Sequence, residues 1–168
     1  MKQHKTWLMA FILLMAALPA RADVVWPALY LESRMVTWWV IALGLVVEYL
    51  FVRKIFGFSV KQALVADVVM NIASVLLGIL LIPAAGIAWE FFPGIILYKV
   101  FNTGTFNPGT WAMTFLFAVA INAALESLVI RWVFKAKAGK KGFWGLFAAN
   151  AISVAVAFAS LFVIFPEM

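Results

Sequence analysis

Residues 63–81 read ALVADVVMNIASVLLGILL. Across these positions stand one carboxylate, Asp67, one amide, Asn71, and one hydroxyl, Ser74; all the rest are aliphatic, methionine or glycine. A helix of this length, at about 1.5 Å per residue, matches the roughly 30 Å hydrocarbon layer of a bilayer. Asp67 and Asn71 are four residues apart and share one helical face. The stretch therefore reads as a membrane-spanning helix with a polar stripe that needs shelter from lipid.

The remainder of the chain agrees. Of 168 residues, 67% are hydrophobic and 12% are charged, where soluble domains run about 45–50% apolar and about 25% charged. That leaves too little polar surface for a water-soluble globule. The length suits one domain. Four spans are predicted: about Met35 to Val52, Ala63 to Phe92, Trp111 to Ile130 and Phe143 to Phe165. The second apolar segment exceeds what a bilayer requires, so Pro83 and Gly86 are expected to kink or end it, leaving a span nearer Ala63 to Leu81. Gly94 to Phe101 is too short to cross and is read as interfacial or re-entrant. Residues 102–109 are rich in turn formers.

Upstream, Trp26 to Glu32 is a helix candidate with Pro27 at its first position. Trp26, Tyr30, Trp38 and Trp39 fit an aromatic belt at the outer interface. Ser59 and Gln62 carry the capping-box spacing for the second span. Residues 1–22, MKQHKTWLMAFILLMAALPARA, have a basic start, a short apolar run and Ala20-Arg21-Ala22, the pattern of a cleavable secretory signal. The mature chain would then be 23–168.

Charge orients the spans. Arg53, Lys54, Lys61, Arg131, Lys135, Lys137, Lys140 and Lys141 fall in the two loops read as cytoplasmic, against Arg34 and Lys99 on the other side. The positive-inside rule puts both mature termini outside, and a bacterial inner membrane is the expected location. The five cations from Arg131 to Lys141 could also hold anionic headgroups, but topology alone accounts for them.

The chain also matches itself. Glu48-Tyr-Leu-Phe-Val-Arg53-Lys-Ile-Phe56 aligns with Glu126-Ser-Leu-Val-Ile-Arg131-Trp-Val-Phe134, and Asn71-Ile-Ala-Ser74 with Asn150-Ala-Ile-Ser153. Glutamate and asparagine are separated by 23 residues in the first half and 24 in the second. Leucine and phenylalanine matches mean little in so apolar a chain, but intramembrane Glu, Arg and Asn are rare. The expected fold is an all-α membrane protein of two parallel-repeated hairpins, repeat one about 35–92 and repeat two about 111–165, related by an axis along the membrane normal.

Each glutamate sits five residues before its arginine. The step leaves it roughly 7–8 Å deeper and about 140° around the helix, so the arginine is not its partner. The returning asparagine is. The candidate polar site is Glu48, Asp67, Asn71, Asn122, Glu126 and Asn150; Asn122 lies four residues before Glu126, on its face. The copy is imperfect: Leu146 stands where Asp67 would, and Gly44 where Asn122 would. Glu90 is read as an interfacial charge at a helix end.

Composition narrows the chemistry. There is no cysteine, and the single histidine, His4, lies in the signal region. Disulfides, thiolate or histidine metal sites, and Ser-His-Asp catalysis are excluded, and no cofactor, metal or enzymatic activity is expected. Two functions remain. One is a transporter or channel passing a proton, cation or small polar solute through a Glu/Asn-lined interior. The other is a non-catalytic subunit or assembly scaffold whose buried pairs only join helices. The expected partners are the bilayer and further protein, in a homo-oligomer or a larger membrane complex, not nucleic acid.

Overall fold

The computed structural model describes residues 26–104, 106–137 and 139–164. The expected signal peptide and His4 lie outside them, as does Phe165, the expected end of the fourth span. Every regular element among the described residues is helical: α1 (Trp26–Met35), α2 (Trp38–Phe56), α3 (Val60–Trp89), a π-type turn (Glu90–Gly94), α4 (Ile95–Phe101), α5 (Pro108–Trp132) and α6 (Lys140–Ile164). Three stretches are long and apolar enough to cross a membrane: Val60–Phe101, Pro108–Trp132 and Lys140–Leu161. A fourth crossing results if α1 and α2, bent by 77° at their junction, count together. This is a helical architecture of multi-pass membrane type.

The helix ends follow local chemistry. Gly57 closes α2 in the left-handed region (φ 66°), with its N–H donating to the Arg53 carbonyl, a conformation glycine adopts without steric cost. Ser59 then opens α3 with both bonds of a capping box, Gln62 N–H to Ser59 Oγ at 3.3 Å and Ser59 N–H to Gln62 Oε1 at 3.2 Å. Asn107 caps α5 by accepting from the Thr110 N–H at 3.0 Å, with Pro108 in the first turn, where its missing N–H costs nothing.

Two boundaries differ from the sequence reading. The first long helix begins at Trp38, and Met35 ends the helix before it. The second runs through Pro83 and Gly86 without interruption to Trp89. Packing explains the continuity: Ile82 shares a buried cluster with Ala28 and Leu31 of α1, and Gly86 leaves room for the Ala28 methyl, which would lie 3.8 Å from an added Cβ. A proline in a spanning helix is tolerated where neighbouring helices support the backbone. The actual break is Phe92, at φ −168° and ψ 125°, because the residue before a proline is steered away from helical geometry.

The four long helices form a bundle in which α3 lies along α5, α2 along α6 and α5 along α6; α2 and α3 touch more sparsely. The inward stripes repeat every fourth residue. On α2 they are Val40, Gly44, Glu48 and Val52; on α5, Ala118, Asn122, Glu126 and Ile130. Two apolar layers result. One holds Val40, Ile82, Ala118, Val154 and Ala157 with α1. The other holds Val52, Ala63, Met70, Ala123, Ile130 and Leu146. The second layer adjoins the two interhelical turns, which meet where Phe58 and Phe134 pack with ring centroids 6.1 Å apart. Both basic loops thus sit at one end of the bundle, with Arg53, Lys54, Lys61, Arg131, Lys135, Lys137, Lys140 and Lys141 all exposed.

Candidate functional site

Between the apolar layers lies a polar one. Glu48, Asp67, Asn122, Glu126 and Asn150 are each at most 5% exposed, and Ser74 is buried beside them; Asn71 is half-buried. Spacing accounts for the layer: Glu48 lies between Val40 and Val52 along the α2 stripe, one turn from Val52, and Glu126 between Ala118 and Ile130 on α5, one turn from Ile130.

The same contact occurs twice. Asn71 Nδ2 donates to Glu48 Oε2 at 2.7 Å and to the Asp67 carbonyl at 3.0 Å. Asn150 Nδ2 donates to Glu126 Oε2 at 2.6 Å and to the Leu146 carbonyl at 3.0 Å. Each amide nitrogen thus bridges a carboxylate on the neighbouring helix and the carbonyl one turn back on its own. That second bond fixes the rotamer, so the first is aimed before it forms. Asp67, where the other half has Leu146, adds a third acceptor, its Oδ1 lying 3.3 Å from Asn71 Nδ2.

The serines cross between the halves. Ser74 Oγ of α3 donates to Glu126 Oε1 of α5 at 3.5 Å. Ser153 of α6 stands near Glu48 of α2: a Cβ at Gly44 would lie 3.5 Å from Ser153 Oγ and 3.9 Å from Glu48 Oε1. Glu126 therefore receives bonds from both α3 and α6. Among the described residues, no three Asp, Glu, His or Cys side chains are grouped closely enough to hold a metal ion.

A cavity of about 430 Å³ adjoins this layer. It fills the gap where α2 and α3 separate. Glu48, Asn71, Asn122, Glu126 and Asn150 all border it; Asp67, behind Asn71, does not. Its walls are apolar, with Ile41 of α2 and Val68, Ile72, Val75 and Ile79 of α3 lining it, all of them exposed. Gly44 and Gly78 line it from opposite helices, so missing side chains help to make the space. Glu32 of α1 borders it too, and its Oε1 is buried without a hydrogen-bond partner among the described residues. Among the described residues, no arginine, lysine or histidine lines it.

Glu90, read from sequence as a charge at a helix end, closes α3 and is 8% exposed, accepting from the Tyr98 hydroxyl at 2.8 Å. Tyr98 also bonds the Thr110 hydroxyl at 2.5 Å. The turn after α3 folds α4 back, so Tyr98 covers the carboxylate. Tyr98 and Thr110 were not candidates from sequence, because neither has a periodic partner there; the turn brings them together. Glu32 and Ser153 join the cavity wall for the same tertiary reason. No family model, curated protein or solved structure matches this chain, so its chemistry is read from the polar layer and the cavity beside it.

Proposed function

We propose that the protein is a small transporter or channel of the bacterial inner membrane, carrying a proton, cation or small polar solute by way of the Glu48–Asn71 and Glu126–Asn150 layer. The observation that carries this reading is the convergence of both pairs on one cavity within an otherwise apolar bundle. Unpaired charge in the bilayer interior is expensive, and intramembrane ionisable residues commonly mark solute and ion paths. Four crossings are proposed, in two hairpins that arose by duplication, with the termini outside and the signal removed. The shared contact pattern and the basic turns at one end of the bundle support that arrangement. The positive-inside rule orients it.

A scaffold reading draws on one specific observation. The Ser74–Glu126 bond joins the halves, as a purely structural pair would. Such bonds average only about 0.6 kcal/mol in membrane bundles, and they give no reason for a cavity to be kept beside them.

The test uses proteoliposomes loaded with pyranine. Wild-type protein is expected to pass protons under a potential, or to take up radiolabelled methylammonium, above protein-free vesicles. Glu48→Gln and Glu126→Gln are expected to lower that flux, Glu48→Gln at least tenfold, with both variants eluting as folded protein. No flux of either probe, or flux indifferent to both substitutions, overturns the proposal.

A further inference from the structure

The cavity has a shape and a chemistry that a bare proton path does not need. From these we infer that it is a lateral binding site for a small amphipathic cation, an alkylammonium with an apolar body, entering from the lipid between α2 and α3. This deepens the transport reading above and rests on it.

Size is the first argument. About 430 Å³ falls within the roughly 300–1,000 Å³ of small-molecule sites. A proton wire or a dehydrated metal ion would leave most of that space empty.

The direction of opening is the second. Ile41, Val68, Ile72, Val75 and Ile79 line the cavity and are each at least 40% exposed, on the two helices that touch sparsely. In a membrane an opening between two such helices faces acyl chains. A ligand arriving this way crosses an apolar threshold, so it must carry an apolar body.

The third is the balance of donors and acceptors. Asn71 and Asn150 spend their N–H groups on Glu48, Glu126 and backbone carbonyls. Carboxylate and amide oxygens therefore dominate the polar end of the cavity, and among the described residues no Lys, Arg or His supplies positive charge there. Asn122 is the independent sign of a ligand. It is 5% exposed, lines the cavity beside Gly78, and makes no side-chain hydrogen bond among the described residues. Glu32 Oε1, on the same cavity, is buried with no partner there; a buried polar atom left unpaired costs about 1–3 kcal/mol, a cost that a bound polar head removes. An ammonium brings the N–H groups and the charge that this end lacks.

The experiment measures binding of radiolabelled octylammonium to the full-length protein in phosphatidylcholine nanodiscs at pH 7, with empty nanodiscs subtracted. Saturable binding at one site per chain is expected. Methylammonium should compete at least tenfold more weakly, because it lacks the apolar body, and octanoate should not compete. Glu48→Gln should weaken binding at least tenfold. Gly44→Leu, which fills the cavity from its α2 wall, should abolish it while the thermal transition stays cooperative; Ile72→Trp, at the mouth, is a second block should Gly44→Leu fail to fold. Binding no greater than to empty nanodiscs, equal competition by octanoate, or indifference to Glu48→Gln overturns the inference. Glu48-dependent proton flux without octylammonium binding would remove this inference and keep the transport reading. Octylammonium binding without any flux would keep the site and remove transport.

Discussion

The Glu48–Asn71 and Glu126–Asn150 pairs are chemically alike, yet they occupy unlike surroundings. Their bonds agree within 0.1 Å, at 2.7 and 2.6 Å. Both amides border the cavity, but Asn150 is 2% exposed, whereas Asn71 is half-buried. The difference begins in the neighbours. Gly44 and Gly78 flank the first pair; at the corresponding spacings Asn122 and Ala157 flank the second. Two glycines on α2 and α3 leave room there. The corresponding residues on α5 and α6 are larger. One polar contact thus occurs in two settings, more deeply buried at Glu126–Asn150 and more exposed at Glu48–Asn71, where glycines leave room.

The strongest way to break this comparison is functional. Glu48→Gln is expected to reduce methylammonium or proton flux at least tenfold, about 1.4 kcal/mol in the controlling step, while moving the thermal midpoint by only about 2 °C. Flux fully retained would mean that the more exposed pair has no role that the more deeply buried one lacks.

Stability should rank the pairs the other way. Asn150→Leu leaves Glu126 buried without its closest donor, and is expected to cost about 1–2 kcal/mol, at the upper end of measured interhelical bonds. Asn71→Leu, beside the cavity, should cost about 0.6 kcal/mol or less. Chemical unfolding in mixed micelles compares the two, and equal losses would defeat the distinction.

Smaller effects sharpen it. Ser74→Ala removes a long 3.5 Å bond to Glu126 and should cost no more than about 0.5 kcal/mol, because Asn150 still holds the carboxylate. Gly44→Ala and Gly78→Ala place a methyl 3.5 Å from the nearest side-chain atom, an ordinary contact. They are expected to stay within about 0.5 kcal/mol of wild type in the same unfolding assay. A large loss at either would mean that the cavity wall is more tightly packed than its volume implies.

Much of the site was legible because rarity carries information in an apolar chain. Glu48, Asn71, Glu126 and Asn150 stand out against their background, and the 23- and 24-residue spacings put each amide across a turn from its glutamate. The capping box at Ser59 was legible for a similar reason, since all its partners lie within four residues. What was not legible involved longer distances. Pro83 signalled a kink or an end, but the support from α1 that lets α3 continue through it is not local. Glu90 was legible as a helix-end charge, but its cover, Tyr98, was not, because Tyr98 returns only after the Phe92 turn.

Sequence by itself determined the class and the pairs: hydrophobic length requires a bilayer, and a polar side chain spaced one helical turn from the next must share its face. Tertiary structure alone decided that both pairs border one cavity and that Asn71 is left more exposed there than Asn150. That outcome depends on how closely helices approach, and approach is set by the side chains of every neighbour together, including glycines whose effect is visible only once α2 and α3 stand side by side.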